Sequence, residues 1–322
     1  MQLGVFTVVL QHLRFEDALD RIAALGLTAV ELGAGNYPGN THCPADELLA
    51  DATKLKEYRH ALDRRGLTIS ALACHGNPLH PNRDVAREHH RVFEQAVLLA
   101  ERLDVERLTL FSGCPGDSPA SKQPNWVTCA WPTDYLTILN WQWEDVVIPY
   151  WKEQATFARN HGVRKLCFEM HPGFVVYNPA TLLRLREAVG GEIGANLDPS
   201  HLFWQGIDAV VAVRTLGDAT YHVHAKDVDF NSEAVRRNGV LDTTPLEKIE
   251  ARSWSFRTVG HGHDSLLWKR FFGALREVGY DDVISIEHED ILASPDEGLS
   301  QAVVFLKDCL FTEPRPHPWW TS

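Results

Sequence analysis

IGANLDPSHLFWQGIDAVVAVRTLGDATYHVHAKD, residues 193–227, is the stretch on which the fold turns. It opens on a short β-type run at 193–198, continues through a helical stretch, and closes on a second β-type run at 219–225. A buried strand that alternates with an amphipathic helix belongs to a parallel sheet with covered faces. Both runs end in polar groups: Asp198 and His201 after the first, His224, Lys226 and Asp227 after the second.

The same alternation extends in both directions and occurs eight times, with strands expected near 2–7, 27–32, 67–73, 107–112, 164–169, 193–198, 219–225 and 283–288. Phe15, Ala18, Leu19, Ile22 and Leu25 share one helical face that Gly26 terminates, and Val85, Val92, Phe93, Ala96 and Leu99 share another. Asn178-Pro179 and Ser294-Pro295-Asp296-Glu297 read as helix starts, the latter as a capping box. Eight such units predict a single (β/α)8 TIM barrel, one domain over residues 1–322. An open doubly wound sheet usually carries a glycine-rich phosphate loop after an early strand, and the sequence has none.

Two connections, 113–143 and 228–263, are too long for simple turns. Each follows a strand, the fourth and the seventh, so both are expected on the barrel face that carries active sites. Trp126, Trp131, Trp141, Trp143 and Trp151 crowd into and beside the first. The expectation is a partly ordered cover over the mouth, with Trp131 or Trp126 facing a substrate and Trp204 as a further wall. In the proline-rich tail 313–322, Trp319 and Trp320 are expected to dock on the barrel or on a neighbouring subunit.

Composition narrows the function. The chain has 322 residues, 44% hydrophobic, with a net charge of −12. That charge disfavours a nucleic-acid backbone as the main partner. No apolar run is long enough for a membrane span, and MQLGVFTVVLQHLRF reads as a first strand, not a signal peptide. Six scattered cysteines without a C-x-x-C pair point to reduced thiols in the cytoplasm.

The chemistry gathers at the strand ends. The fifth strand ends CFEMHP (Glu169, His171), the sixth NLDPSH (Asp198, His201), the seventh HVHAKD (His222, His224, Lys226, Asp227) and the eighth ISIEHED (Glu287, His288, Glu289, Asp290). Earlier strands add Glu31 in VELG and His75 in ACHG. In a barrel one inward donor per strand reaches a common centre. Three carboxylates and one imidazole make a hard, oxygen-rich site suited to Mn²⁺ above all, or Mg²⁺, with Co²⁺, Fe²⁺ or Zn²⁺ as further candidates. Such an ion acts as a Lewis acid on a carbonyl and lowers the cost of an enediolate. His75, His171, Lys226, Trp131 and Trp204 are the candidate substrate contacts. His261 and His263 in VGHGHD, with glycines at 260 and 262, read as a tight turn near the mouth.

The run FEMHP, NLDPSHLFW, HVHAKD, ISIEHED resembles the xylose isomerase-like barrels known as sugar phosphate isomerase/epimerases, over nearly the whole chain. That superfamily includes ketose 3-epimerases, inosose dehydratases and, more distantly, endonuclease IV. The resemblance implies metal ligation by Glu169, Asp198, His224 and Glu287, with Glu169 and Glu287 also the acid/base pair on opposite substrate faces. It implies substrate binding by His201.

Two departures put the substrate in doubt. Lys226 and Asp227 stand where an epimerase-type arginine follows the histidine, and FSGCPG…NWVTCAWP…NWQW is unlike the short epimerase loop. A second resemblance, to barrels that eliminate the aglycone from 3-oxo-glycosides with a small partner subunit, therefore stays open. The sequence reading is a metal-dependent sugar isomerase or epimerase, with a lyase on the same enediolate chemistry as the alternative. A homo-oligomer, a sugar or glycoside substrate and no membrane or nucleic-acid partner complete it. An endonuclease IV-like phosphodiesterase and a non-catalytic sugar-binding barrel are the remote alternatives.

Overall fold

Hydrogen bonds between the first and last of eight parallel strands close a barrel in the computed structural model, which describes residues 1–317 and Trp320. The strands in chain order are β1 (Gln2–Phe6), β2 (Ala29–Gly33), β3 (Thr68–Ala73), β4 (Arg107–Leu110), β5 (Lys165–Glu169), β6 (Ile193–Leu197), β7 (Thr220–Ala225), β8 (Asp227–Phe230), β9 (Trp254–Arg257) and β10 (Val283–Ile286). The barrel runs β1-β10-β7-β6-β5-β4-β3-β2, so the chain is a (β/α)8 TIM barrel with β8 and β9 outside it. The last barrel strand ends at Ile286, short of the expected 288, although the Glu287 amide still donates to the Ala225 carbonyl at 3.1 Å. The polar residues at the strand ends leave the ladder and enter the mouth.

The expected helices form for the expected reasons. Helix Phe15–Ala24 buries Ala18, Leu19 and Ile22, and Gly26, at φ +71°, takes the left-handed conformation that ends it. Helix Arg83–Leu103 buries Val92, Phe93, Ala96 and Leu99. Helix Pro179–Val189 starts on a reciprocal cap between Asn178 and Thr181. Asn178→Ala is therefore expected to lower stability by about 0.5–2 kcal/mol in urea unfolding, and an unchanged midpoint would show that the cap carries nothing. At helix Pro295–Cys309 the box is half made: Ser294 Oγ accepts from the Glu297 amide at 3.2 Å, but Glu297 Oε1 accepts from Gln301.

Both long connections hold more structure than expected. In the first, irregular chain gives way at Asp134 to a helix that continues through a π-helical segment, Gln142–Val147, into helix Ile148–Asn160. Pro149 lies just beyond that segment, and a proline inside a helix lacks a donor and clashes with the preceding turn. The wider π turn relieves this. In the second, β8 and β9 pair antiparallel from Asp227↔Arg257 to Phe230↔Trp254, with helix Ser232–Asn238 between them.

All six cysteines are free. No helix among the described residues is long and apolar enough to cross a membrane. Of the two tail tryptophans, Trp320 is 68% exposed and Trp319 lies outside the described residues.

Candidate metal centre

Four strand ends place the donors. Glu169 is the last residue of β5, His224 lies in β7, and Glu287 directly follows β10. Asp198 follows β6 and caps helix Pro199–Phe203, where its Oδ1 accepts the Ser200 amide at 2.8 Å. The cap occupies one carboxylate oxygen and leaves Oδ2 for the centre. One ligand atom from each of Glu169, Asp198, His224 and Glu287 lies within 4.8 Å of the others.

One ammonium and three imidazoles fill the gaps among these carboxylates. His224 Nδ1 is 2.9 Å from Glu287 Oε2 and 3.4 Å from Glu169 Oε2. Lys226 Nζ is 3.0 Å from Asp198 Oδ2, 2.9 Å from Glu287 Oε2 and 3.6 Å from Glu289 Oε1. His201 Nε2 is 3.1 Å from Glu169 Oε1 and 3.5 Å from Asp198 Oδ2, and His75 Nε2 is 3.2 Å from Glu169 Oε2. Burial alone would raise the Glu169 carboxyl, but the imidazoles of His201, His224 and His75 hold it well below its usual range. For Glu287 burial is likewise outweighed by Lys226 and His224, and the carboxyl is lowered. Burial would lower the Lys226 ammonium, yet Asp198, Glu287 and Glu289 raise it well above its usual value. The site is built to keep carboxylates ionised out of water, which calls for a cation.

The residues present fit a divalent ion. His75 Nε2, Asp198 Oδ2, His201 Nε2 and Glu287 Oε2 are buried and have no aligned hydrogen-bond partner. Their ion-pair contacts leave them without an aligned hydrogen bond, a state rare for buried polar atoms unless a ligand or an ion satisfies them. Two of them belong to the set of three carboxylates and one imidazole, a donor set suited to a hard divalent cation.

A second polar layer lies two residues before Asp198, His224 and Glu287, where the period-two pleat again points inward. Asn196 pairs in register with Glu169, and its Nδ2 donates to Glu169 Oε2 at 3.2 Å. Its Oδ1 lies 2.9 Å from His222 Nδ1. Burial pushes His222 down to about 4, so this ring is neutral at neutral pH. Glu31, from β2, contacts Thr109, Ser285 and His224. Burial would raise the Glu31 carboxyl, but His224 and His222 hold it far below its usual range. The sequence reading noted Glu31 and His222 without assigning them, and passed over Asn196, Thr109 and Ser285. For Asn196, His222 and Ser285 the available signal was a polar residue two before a member of the four-residue set, as in N-x-D, H-x-H and S-x-E.

Above the donors lies a cavity of ≈ 330 Å³, whose lining includes Phe6, Tyr37, Phe111, Phe174, Lys226 and Glu289. Glu169, Glu287, His75 and His171 open onto it as well. Phe111 and Phe174 stack at 4.2 Å, and His75 meets the Phe111 ring edge at 4.6 Å. His201 is 1% exposed, is not part of the lining, and sits against the carboxylates. Another cavity, of ≈ 490 Å³, lies at the opposite end, lined by Arg107, Lys165 and Thr220 from the starts of β4, β5 and β7. In this fold that end serves stability.

The structure does not bring Trp131 or Trp204 to the cavity over the centre. Trp131 is 76% exposed in the irregular part of its loop. Trp204 stacks on Trp254 of β9 at 4.5 Å, in a small cluster with Val228. Of the other loop tryptophans, Trp143 and Trp151 are core residues and Trp126 packs on Tyr177. The 113–143 connection packs beside the mouth, onto the chain after β5, where the Val175 amide donates to the Gly113 carbonyl. It contributes no residue to that cavity, contrary to the expected cover. The VGHGHD turn forms as expected. The Asp227 carboxylate collects the amides of Gly260, Gly262 and His263, and a Cβ at Gly262 would meet the Val228 carbonyl.

The profile of the family described as xylose isomerase-like TIM barrel matches residues 19–309. The uncharacterized protein YfiH of Bacillus subtilis (strain 168) is 41% identical over 312 residues, which cover 96% of this chain and 99% of that protein. Among solved structures, the probable 3-DHS dehydratase AsbF from Bacillus anthracis superposes with a TM-score of 0.66 at 17% identity, covering 95% and 99% of the two chains. A D-psicose 3-epimerase determined in the presence of D-fructose gives 0.62 at 16% identity, covering 96% and 99%. At these identities the structural likeness is one of fold.

Proposed function

The chain belongs to the xylose isomerase-like TIM-barrel family, and from that premise we propose that it is a divalent-metal-dependent sugar isomerase or epimerase that moves a proton at the carbon beside a carbonyl. One observation carries this reading. Two ionised glutamates, Glu169 and Glu287, belong to a hard-metal donor set and also line the cavity above it. The ion, Mn²⁺ by preference, would be held by Glu169, Asp198, His224 and Glu287, and when bound it stabilises the enediolate as a Lewis acid. The protein does the rest. Glu287, the less buried of the pair at 14% side-chain exposure, takes the proton from carbon, and Glu169 is placed to return one. Lys226 and the imidazoles of His75 and His171 orient substrate oxygens from the cavity wall. The aromatic rings of Phe6, Phe111 and Phe174 keep water from the reacting carbon.

Elimination from the same enediolate is the second reading. It is favoured by the imidazole of His75 on the cavity wall, a group of the type that protonates a leaving oxygen; burial holds His171 well below the usual imidazole range, so that ring meets the cavity unprotonated. Proton exchange in D₂O with a panel of ketoses, inososes and 3-oxo-glycosides tests both. The Mn²⁺-loaded protein is expected to place deuterium beside the carbonyl of at least one panel member, and the chelator-treated protein to place none. Recovery of an epimer supports the first reading and release of water or aglycone the second. Exchange with no member of the panel would sink both.

A further inference from the structure

Glu31 sits at the centre of β2, fully buried, outside the four-donor set and away from the cavity. Its carboxylate has three partners. Thr109 Oγ1 donates to Oε1 at 2.6 Å, Ser285 Oγ donates to Oε2 at 2.7 Å, and His224 Nε2 lies 2.8 Å from Oε2. Both carboxylate oxygens already accept a hydroxyl proton, and at 2.8 Å the imidazole nitrogen facing Oε2 is the donor. A neutral imidazole protonated at Nε2 has its lone pair at Nδ1. Nδ1 faces Glu287 Oε2 at 2.9 Å and Glu169 Oε2 at 3.4 Å, two carboxylates of the donor set, so an ion held among them would take the place of a proton on Nδ1 and leave the one on Nε2.

We propose that Glu31 is a positioning residue that fixes the tautomer and ring orientation of His224, so that Nδ1 is presented as a metal ligand. Thr109 and Ser285 hold Glu31 in place for that task. The inference rests on the metal reading above and deepens it. A different use of the same residues is a second metal site, because ligand atoms of Glu31, His222 and His224 also lie within 4.8 Å of one another. The hydrogen bonding argues against it. Glu31 is taken by Thr109 and Ser285, and His222 by Asn196 Oδ1 at 2.9 Å and Ser70 Oγ at 3.3 Å. An ion there would have to break this hydrogen-bond network, whereas Asp198 Oδ2 and Glu287 Oε2 at the four-donor centre have ion-pair contacts but no aligned hydrogen bond to lose.

Two measurements test the proposal. The first is Mn²⁺ binding, followed by the paramagnetic resonance of the free ion, for the parent, Glu31→Gln and the Thr109→Val/Ser285→Ala double variant. The parent is expected to bind one ion per chain. Glu31→Gln should weaken binding by about 10–100-fold, and the double variant should weaken it less, in the same direction. The second is long-range ¹H–¹⁵N correlation of the histidine rings in the Zn²⁺-loaded parent, with His224 assigned by its loss in His224→Gln. It should show the proton on Nε2.

A folded Glu31→Gln protein that binds Mn²⁺ like the parent, even one of lower melting temperature, overturns the proposal. So does a His224 proton on Nδ1, or a second bound ion that Glu31→Gln alone removes. Should Glu31→Gln fail to fold, the double variant and the parent spectrum decide. A parent that binds no ion overturns the metal reading itself, a different outcome from the others.

Discussion

Replacing Glu287 by Gln is expected to slow exchange of the substrate proton with solvent by about 10²-fold or more, while the protein keeps part of its affinity for Mn²⁺. Glutamine preserves the size and one carbonyl ligand but removes the base. A carboxylate beside a cation is ordinarily a weak base, because the cation lowers its pKa. It can still take a carbon-bound proton when the same cation stabilises the enediolate that results. Glu169→Gln is expected to fall too, but for a further reason. Glu169 is held by His75, His201, His224 and Asn196, and an amide in its place upsets those contacts as well as the proton transfer. Among the described residues Glu287 forms ion pairs with His224 and Lys226 alone, and it is the more exposed, so its loss should act on the chemistry more than on the architecture. Parent-rate exchange in both variants would exclude the two-glutamate mechanism and leave a histidine base with elimination as the better account.

Lys226→Met is expected to destabilise the metal-free protein by about 3–5 kcal/mol and to tighten Mn²⁺ binding. The side chain is 2% exposed, and its ammonium lies within 3.0 Å of both Asp198 and Glu287. Without it, largely buried carboxylates at the barrel mouth lose a neutralising charge. Methionine keeps the length and apolar stem, so lost packing contributes little. A divalent ion competes with the ammonium for the same oxygens and is repelled by it. Removing the ammonium should therefore raise affinity by roughly tenfold or more, since about 1.4 kcal/mol of relieved repulsion is enough. Saturating Mn²⁺ should restore most of the lost stability. Urea unfolding with chelator and with Mn²⁺ reads both effects. Equal stability of variant and parent in chelator would mean that Lys226 does not serve as the counter-ion of the centre.

The sequence carried the barrel because its signals are local and repeat. Eight strand–helix alternations, with stops such as Gly26 and caps such as Asn178, each restate the same architecture. The clustering of Glu169, Asp198, His224 and Glu287 was legible because strand ends in this fold converge, so position along a strand already implies position in space. The layer beneath them was harder to read. Asn196, Ser285 and Thr109 are ordinary polar residues in apolar runs, and only the pairing of β6 with β5 and β7, and of β10 with β7, shows what they touch. Loop composition misled where conformation decides. Trp131 and Trp204 have the right chemistry for a sugar wall, but one ring is turned to solvent and the other is claimed by Trp254. The β8–β9 hairpin was missed because each strand has four residues and a helix separates them.

The most direct test of the account is the anomalous difference density of crystals soaked in Mn²⁺. The account predicts one peak per chain, bonded to Glu169, Asp198, His224 Nδ1 and Glu287 at roughly 2.0–2.6 Å, with Glu31 still hydrogen-bonded to His224 Nε2. A peak among Glu31, His222 and His224 instead, or no peak at the four strand ends, would contradict it.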